Sequence, residues 1–170
     1  MIAALARFGP LLGISLLFVI GLGWRTWLQH RRYGRSGVIL FRQSGLWASV
    51  RDALLLVLPA LLWVLTVAQA LAPGRPALGR LEGLEAGPLV VLGALLMAAG
   101  VLLMTAAQLQ MGKSWRIGID EDARPGLVTW GLYRYCRNPI FAAMLIALGG
   151  LALLMPSLIT LLILVTTYAG

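Results

Sequence analysis

The stretch that decides the fold is IFAAMLIALGGLALLMPSLITLLILVTTYAG, residues 140–170, which holds no charged residue. As one helix it would reach about 46 Å at 1.5 Å per residue. That overshoots a hydrocarbon core of about 30 Å. Gly149–Gly150 and Pro156 offer places to turn. The expected arrangement is therefore a helical hairpin, 140–154 and 157–170, with one long tilted and kinked helix as the alternative.

Working outward, three more apolar blocks of near-spanning length appear. Pro10–Leu28 ends in Trp24 and Trp27 and then meets Arg31, Arg32 and Arg35, the mark of a membrane interface. Ala53–Ala72 carries no charge and contains Pro59. Pro88–Gln108 starts on a proline, where a helix tolerates one. The expected fold class is all-α: a polytopic transmembrane bundle of about five helices, forming a single domain over 1–170. The N-terminus shows no signal-peptide pattern.

Composition agrees. The chain is 60% hydrophobic and only 12% charged, with a mean hydropathy of +0.89. The charged share is about half that of an ordinary soluble domain. The net charge of +8 would point to nucleic acid in a soluble protein. Here the arginines fall between apolar blocks, and no base-reading motif accompanies them, so no nucleic-acid partner is expected. The expected partner is the lipid bilayer. A single cysteine, Cys136, excludes an intramolecular disulfide.

The basic residues also predict orientation. Arg25, Arg31, Arg32, Arg35, Arg42 and Arg51 lie in 25–51, and Lys113, Arg116, Arg124, Arg134 and Arg137 in 111–138. The intervening 73–87 holds Arg75 and Arg80 against Glu82 and Glu85. The positive-inside rule then puts the N-terminus outside, and the 111–138 loop and the C-terminus in the cytoplasm.

That loop ends in PGLVTWGLYRYCRNPIF, residues 125–141. At its plainest this is how a helix begins: Asn138 as N-cap, Pro139 at the first helical position, arginines and tyrosines at an interface. The same residues also make a cradle. A helix start offers unpaired N–H groups and partial positive charge, and Arg137 beside it brings a fork that matches a carboxylate or phosphate. Gly131 allows a tight turn just before Tyr133. Gln108 and Gln110, at the end of the third block, either bond within the bundle or line such a site. Three adjacent acids, Asp120, Glu121 and Asp122, point in different directions and read as a solvated loop rather than a metal site. His30 has no second ligand spaced near it. Cys136 reads as packing rather than as a nucleophile.

With these residues in view, the chain resembles the isoprenylcysteine carboxyl methyltransferase and phospholipid methyltransferase family of integral membrane enzymes. The family's loop piece H-x-L-V-x-x-G-P-Y, followed by R-H-P-x-Y opening a helix, is matched here by P-G-L-V-T-W-G-L-Y and R-N-P-I-F. The approach QLQMGKSWRIGIDED, 108–122, is similar too. The likeness covers roughly 105–155. It implies S-adenosylmethionine as cofactor, a lipophilic or lipid-modified acceptor, and methyl transfer at the cytoplasmic face. By position it implies cofactor contacts from Pro125, Gly126, Leu127, Val128, Tyr133, Arg137, Asn138, Pro139, Ile140 and Phe141, with Asp120 as a looser match. No catalytic residue is assigned.

Three departures accompany the likeness. Asn138 stands where the family has His, and Leu132 where it has Pro. No acid follows Asp122, so the family's acceptor-positioning cytoplasmic tail is expected to be absent. A non-catalytic membrane protein that retains the cofactor site is the competing expectation. A nicotinamide-dependent lipid reductase rests on fold analogy alone.

Overall fold

In a computed structural model, residues 1–34, 36–41, 45–72, 81, 87–118 and 126–169 are described. The chain is all-helical, as expected. α1 (Ile2–Phe18) runs through a π-helical stretch, Val19–Trp24, into α2 (Arg25–Tyr33). α3 is Leu46–Leu71, α4 Gly87–Met111, α5 Pro139–Leu154 and α6 Leu158–Ala169. Two short 3₁₀ turns, Gly112–Ser114 and Gly131–Arg134, flank the loop between α4 and α5.

Among the described residues, three rods are long and apolar enough to cross a membrane: Ile2–Tyr33, Leu46–Leu71 and Gly87–Ser114. All three are longer than the apolar blocks in the sequence. α3 begins before its block and takes in Arg51 and Asp52, and α2 continues the first block through Arg31 and Arg32. α5 and α6 are shorter, about 24 and 18 Å at 1.5 Å per residue. They meet as the expected hairpin, with the break at Met155–Ser157. Gly149 and Gly150 lie inside α5 instead of at the turn.

The hairpin turn is fixed by side chains that replace the missing backbone bonds. The Thr160 N–H donates to Ser157 Oγ at 3.2 Å, and the Ser157 N–H donates to Thr160 Oγ1 at 3.2 Å. This is a reciprocal cap at the start of α6. Thr160 Oγ1 donates in turn to the Met155 carbonyl at 2.8 Å.

α5 packs most closely on α4, because small residues let the backbones touch. A Cβ at Gly100 would sit 2.6 Å from the Ala147 nitrogen, and one at Gly150 would meet the Met97 and Gly93 backbones. In lipid, with little hydrophobic drive between helices, such backbone approach is what holds a pair together. Around it the core gathers Ile14, Leu62, Val90, Met97, Ala147, Leu148, Leu151 and Leu154. Ile163 and Leu164 of α6 fold back onto that core. α3 presents Leu54 to Leu58, Leu61 and Val64 outward, which suits a lipid-facing surface.

An isolated parallel bridge joins Val38 and Ile117. The Ile117 N–H donates to the Gly37 carbonyl at 2.9 Å, and the Ile39 N–H to the Ile117 carbonyl at 3.0 Å. The segments after α2 and after α4 therefore meet at one end of the bundle. Asp52 anchors the first of them: its Oδ2 accepts from the Phe41 N–H at 2.7 Å, and Arg51 pairs with its Oδ1 at 3.0 Å.

Candidate functional site

The site end of the bundle is built on the last turn of α4. The final carbonyls of a helix have no partners within it and carry partial negative charge. Here a side chain from α2 supplies them. Arg25 Nη2 donates to the Gly112 carbonyl at 2.7 Å, and Nε to the Gln108 carbonyl at 3.3 Å. Nη1 donates to Gln29 Oε1 at 2.8 Å, and Gln29 Nε2 donates to the Lys113 carbonyl at 3.1 Å. The Arg25 guanidinium also lies 4.8 Å from the centre of the buried Trp115 ring. Arg25 is 1% exposed. It is thus not one of the interfacial loop cations that the sequence suggested, but part of the bundle.

The π-helical stretch contributes one further bond. Its wider turn leaves carbonyls available to side chains, and Gln108 Nε2 donates to the Gly21 carbonyl at 3.2 Å. The two glutamines both bond within the protein, as one of their two readings expects. Gln108 bonds within the bundle, while its Oε1 is buried without a partner among the described residues. Gln110 reaches across to the loop, where its Oε1 accepts from the Leu132 N–H at 2.7 Å.

That bond pins the second 3₁₀ turn to α4. The turn needs Gly131, whose φ of +62° is left-handed and whose missing Cβ leaves room for the Gln110 side chain. Tyr133 leaves this turn half-buried, with its hydroxyl enclosed and unpartnered among the described residues. Burial pushes its phenol above the ordinary value, and the nearby Arg25 charge pulls the other way. Tyr133 therefore remains a neutral hydrogen-bond donor across the physiological range.

The chain then enters α5 as expected. Asn138 Oδ1 accepts from the Phe141 N–H at 3.2 Å, and Pro139 holds the first helical position. The Ala142 N–H bonds to the Asn138 carbonyl at 3.1 Å. Proline brings no N–H. Of the first four helical positions, only Ile140 keeps its N–H for a ligand among the described residues. Arg137, one residue before the cap, is exposed.

The expected site residues thus divide. Tyr133, Arg137, Asn138, Pro139, Ile140 and Phe141 lie in the 3₁₀ turn and the start of α5 that follows it, with Val128 in the stretch before the turn. Pro139 is buried, Val128, Tyr133, Ile140 and Phe141 are half-buried, and Asn138 is exposed. Gly126 and Leu127 lie in an exposed stretch without regular structure, with Leu127 89% exposed. Asp120 and Pro125 lie outside the described residues. Arg25, Gln29 and Trp115 were not anticipated as part of this end. The available signal was the spacing of Arg25 and Gln29: four apart, they share one face of a helix.

Fold and loop together define a polytopic α-helical membrane protein whose α4–α5 connection is held as a shaped loop at one end of the bundle. The comparisons make this specific. Residues 88–169, from the start of α4 to the end of α6, match the family model for phospholipid methyltransferases. Over those residues the chain is similar to that family, in keeping with its loop motif, and the match points to a membrane methyltransferase. No curated protein and no solved structure matches the chain.

Proposed function

We propose that this chain transfers a methyl group from S-adenosylmethionine to a lipophilic acceptor at the cytoplasmic face of a membrane. The observation that carries this reading is the family match, which spans the whole α4–loop–α5–α6 unit in which Gln110 and Asn138 hold the loop in shape.

The residues fit such a cofactor. Two buried polar atoms, Tyr133 Oη and Gln108 Oε1, have no protein partner among the described residues. A buried polar group without a partner costs about 1–3 kcal/mol, so a polar ligand that reaches them is favoured. Arg137 and the Ile140 N–H are suited to the cofactor's carboxylate. The stretch Gly126–Val128 offers backbone groups to the adenosine end. Asp120 and Pro125 belong to the same proposal by position in the motif.

When bound, the cofactor supplies an activated methyl with a good leaving group already attached. The protein's task is then alignment and exclusion of water. Tyr133, held neutral, donates a hydrogen bond and presents its ring face to positive charge. Leu127, Trp130 and Tyr135 are exposed and offer apolar and aromatic surface suited to an acceptor arriving from the interface. Orientation follows the basic residues, with the N-terminus outside and the 111–138 loop in the cytoplasm.

The test is titration calorimetry of the full chain in detergent with S-adenosylmethionine and with its demethylated product. Saturable binding of either is expected. No heat and no thermal stabilisation from both, in folded protein, would remove the reading.

A further inference from the structure

We propose that Arg25, on the N-terminal helix pair, is a positioning residue for the site: through the end of α4 and Trp115 it holds the cofactor loop in its binding geometry. The proposal rests on the methyl-transfer reading above. It extends the site beyond the segment that matches the family, since Arg25 and Gln29 lie well before residue 88.

The first observation is burial. Arg25 is 1% exposed, and among the described residues its hydrogen bonds go to two carbonyls and an amide oxygen rather than to a carboxylate. Burying a guanidinium without a counter-ion is costly. Capping α4 does not by itself require it, because Gly112 already turns left-handed there, at φ +55°. A buried charge at this place is more than the helix end needs.

The second observation is what Arg25 joins. One side chain touches the last carbonyls of α4, the Trp115 ring and, through Gln29, the Lys113 carbonyl. Trp115 opens the segment whose Ile117 pairs with Gly37 and Ile39, so both connecting segments at this end hang from the same anchor. On the adjoining turn of α4, Gln110 holds Leu132, one residue before Tyr133. Arg25 is also close enough for its charge to act on the Tyr133 phenol. Both ends of the α4–α5 loop are thus referred to one fixed point. A shift of that point moves Tyr133 and the start of the loop together.

The experiment measures affinity for S-adenosylhomocysteine and the melting temperature of the full chain in detergent, for wild type, Arg25→Ala, Arg25→Lys and a control. The control is Ile14→Ala, a core truncation in α1 away from this end. A purely structural Arg25 would lower affinity no more than a core truncation of similar thermal cost. The proposal expects Arg25→Ala to weaken binding at least about tenfold beyond the control, the loss of charge-assisted bonds. It expects Arg25→Lys, which keeps the charge but not the fork, to recover only part of that. Equal affinity losses in Arg25→Ala and the control would overturn it, as would full rescue by lysine, which would reduce the role to bulk charge. If Arg25→Ala does not fold, Gln29→Leu decides: a loss beyond the control supports the proposal, and a loss equal to it overturns it. Wild type that binds neither cofactor form removes the methyltransferase reading itself. Wild-type binding with an unaffected Arg25→Ala removes only this inference.

Discussion

At the residue scale the site is a set of local bonds, each with its own test. Asn138 caps α5 through a single side-chain bond to Phe141. Asn138→Ala should lose about 0.5–2 kcal/mol of stability, read as a lower unfolding midpoint in detergent. An unchanged midpoint would mean that Pro139 alone sets the helix start. Gly131 is coupled to Gln110: a Cβ at residue 131 meets that side chain, and the backbone is left-handed. Gly131→Ala should cost about 1–2 kcal/mol from backbone handedness alone. Trimming Gln110 to Ala in the same chain should return the part due to collision, so the double mutant should be less damaged than the sum of the singles. Strict additivity would show that the two side chains do not meet. Arg137 and Arg134 are both exposed, and Arg134 leans on the Tyr135 ring at 6.0 Å. Only Arg137 adjoins the cap. Arg137→Ala should therefore weaken S-adenosylhomocysteine about tenfold or more, and Arg134→Ala much less. Equal losses would reduce both to interfacial anchors.

At the element scale the α4–α5 pair is the frame on which the loop hangs, and two neighbouring glycines test it in opposite directions. Gly150 faces the α4 backbone, whereas Gly149 has open space where a Cβ would go. Gly150→Val should force the helices apart and cost about 1–3 kcal/mol, as overpacking does. Gly149→Ala should be neutral or stabilise by up to about 1 kcal/mol, since alanine is the better helix former. Urea or detergent-denaturation curves of the two variants check this, and similar behaviour would contradict the close packing. The same glycines show what sequence reading sees and misses. Paired glycines in a long apolar run look like a turn, because glycine breaks helices in water. In this bundle Gly150 is where α5 touches α4, and the break falls at Met155–Ser157, between the expected helices 140–154 and 157–170, where Thr160 replaces the lost backbone bonds.

At the scale of the whole molecule the proposed orientation puts the α4–α5 loop in the cytoplasm. The single cysteine is exposed and sits inside the loop, at residue 136. An impermeant maleimide should label the native chain in inside-out vesicles and fail to label it in sealed, right-side-out ones. The reverse pattern would invert the topology. What places the loop is shared between the two halves of the chain. The Val38–Ile117 bridge and the Arg25 bonds tie the segments after α2 and α4 into one end.

The amino-acid sequence alone determined the class and the local grammar. Long uncharged runs leave no choice but helices in lipid, because each backbone polar group must be satisfied within its own segment. Asn-Pro after a basic, aromatic stretch specifies a capped helix start, and the hairpin at Pro156 follows from length. These are short-range consequences, legible wherever neighbours in the chain are also partners in the fold. Tertiary structure decided what depends on residues far apart in the chain. Arg25 reads as one more interfacial cation until α2 is seen to continue α1 through the π-helical stretch and carry it to the carbonyls of α4. Gln110 shows its purpose only once Leu132 is brought to it. No local pattern announces such bonds: the buried charge and the pinned turn are stable only when the far segment is already in place.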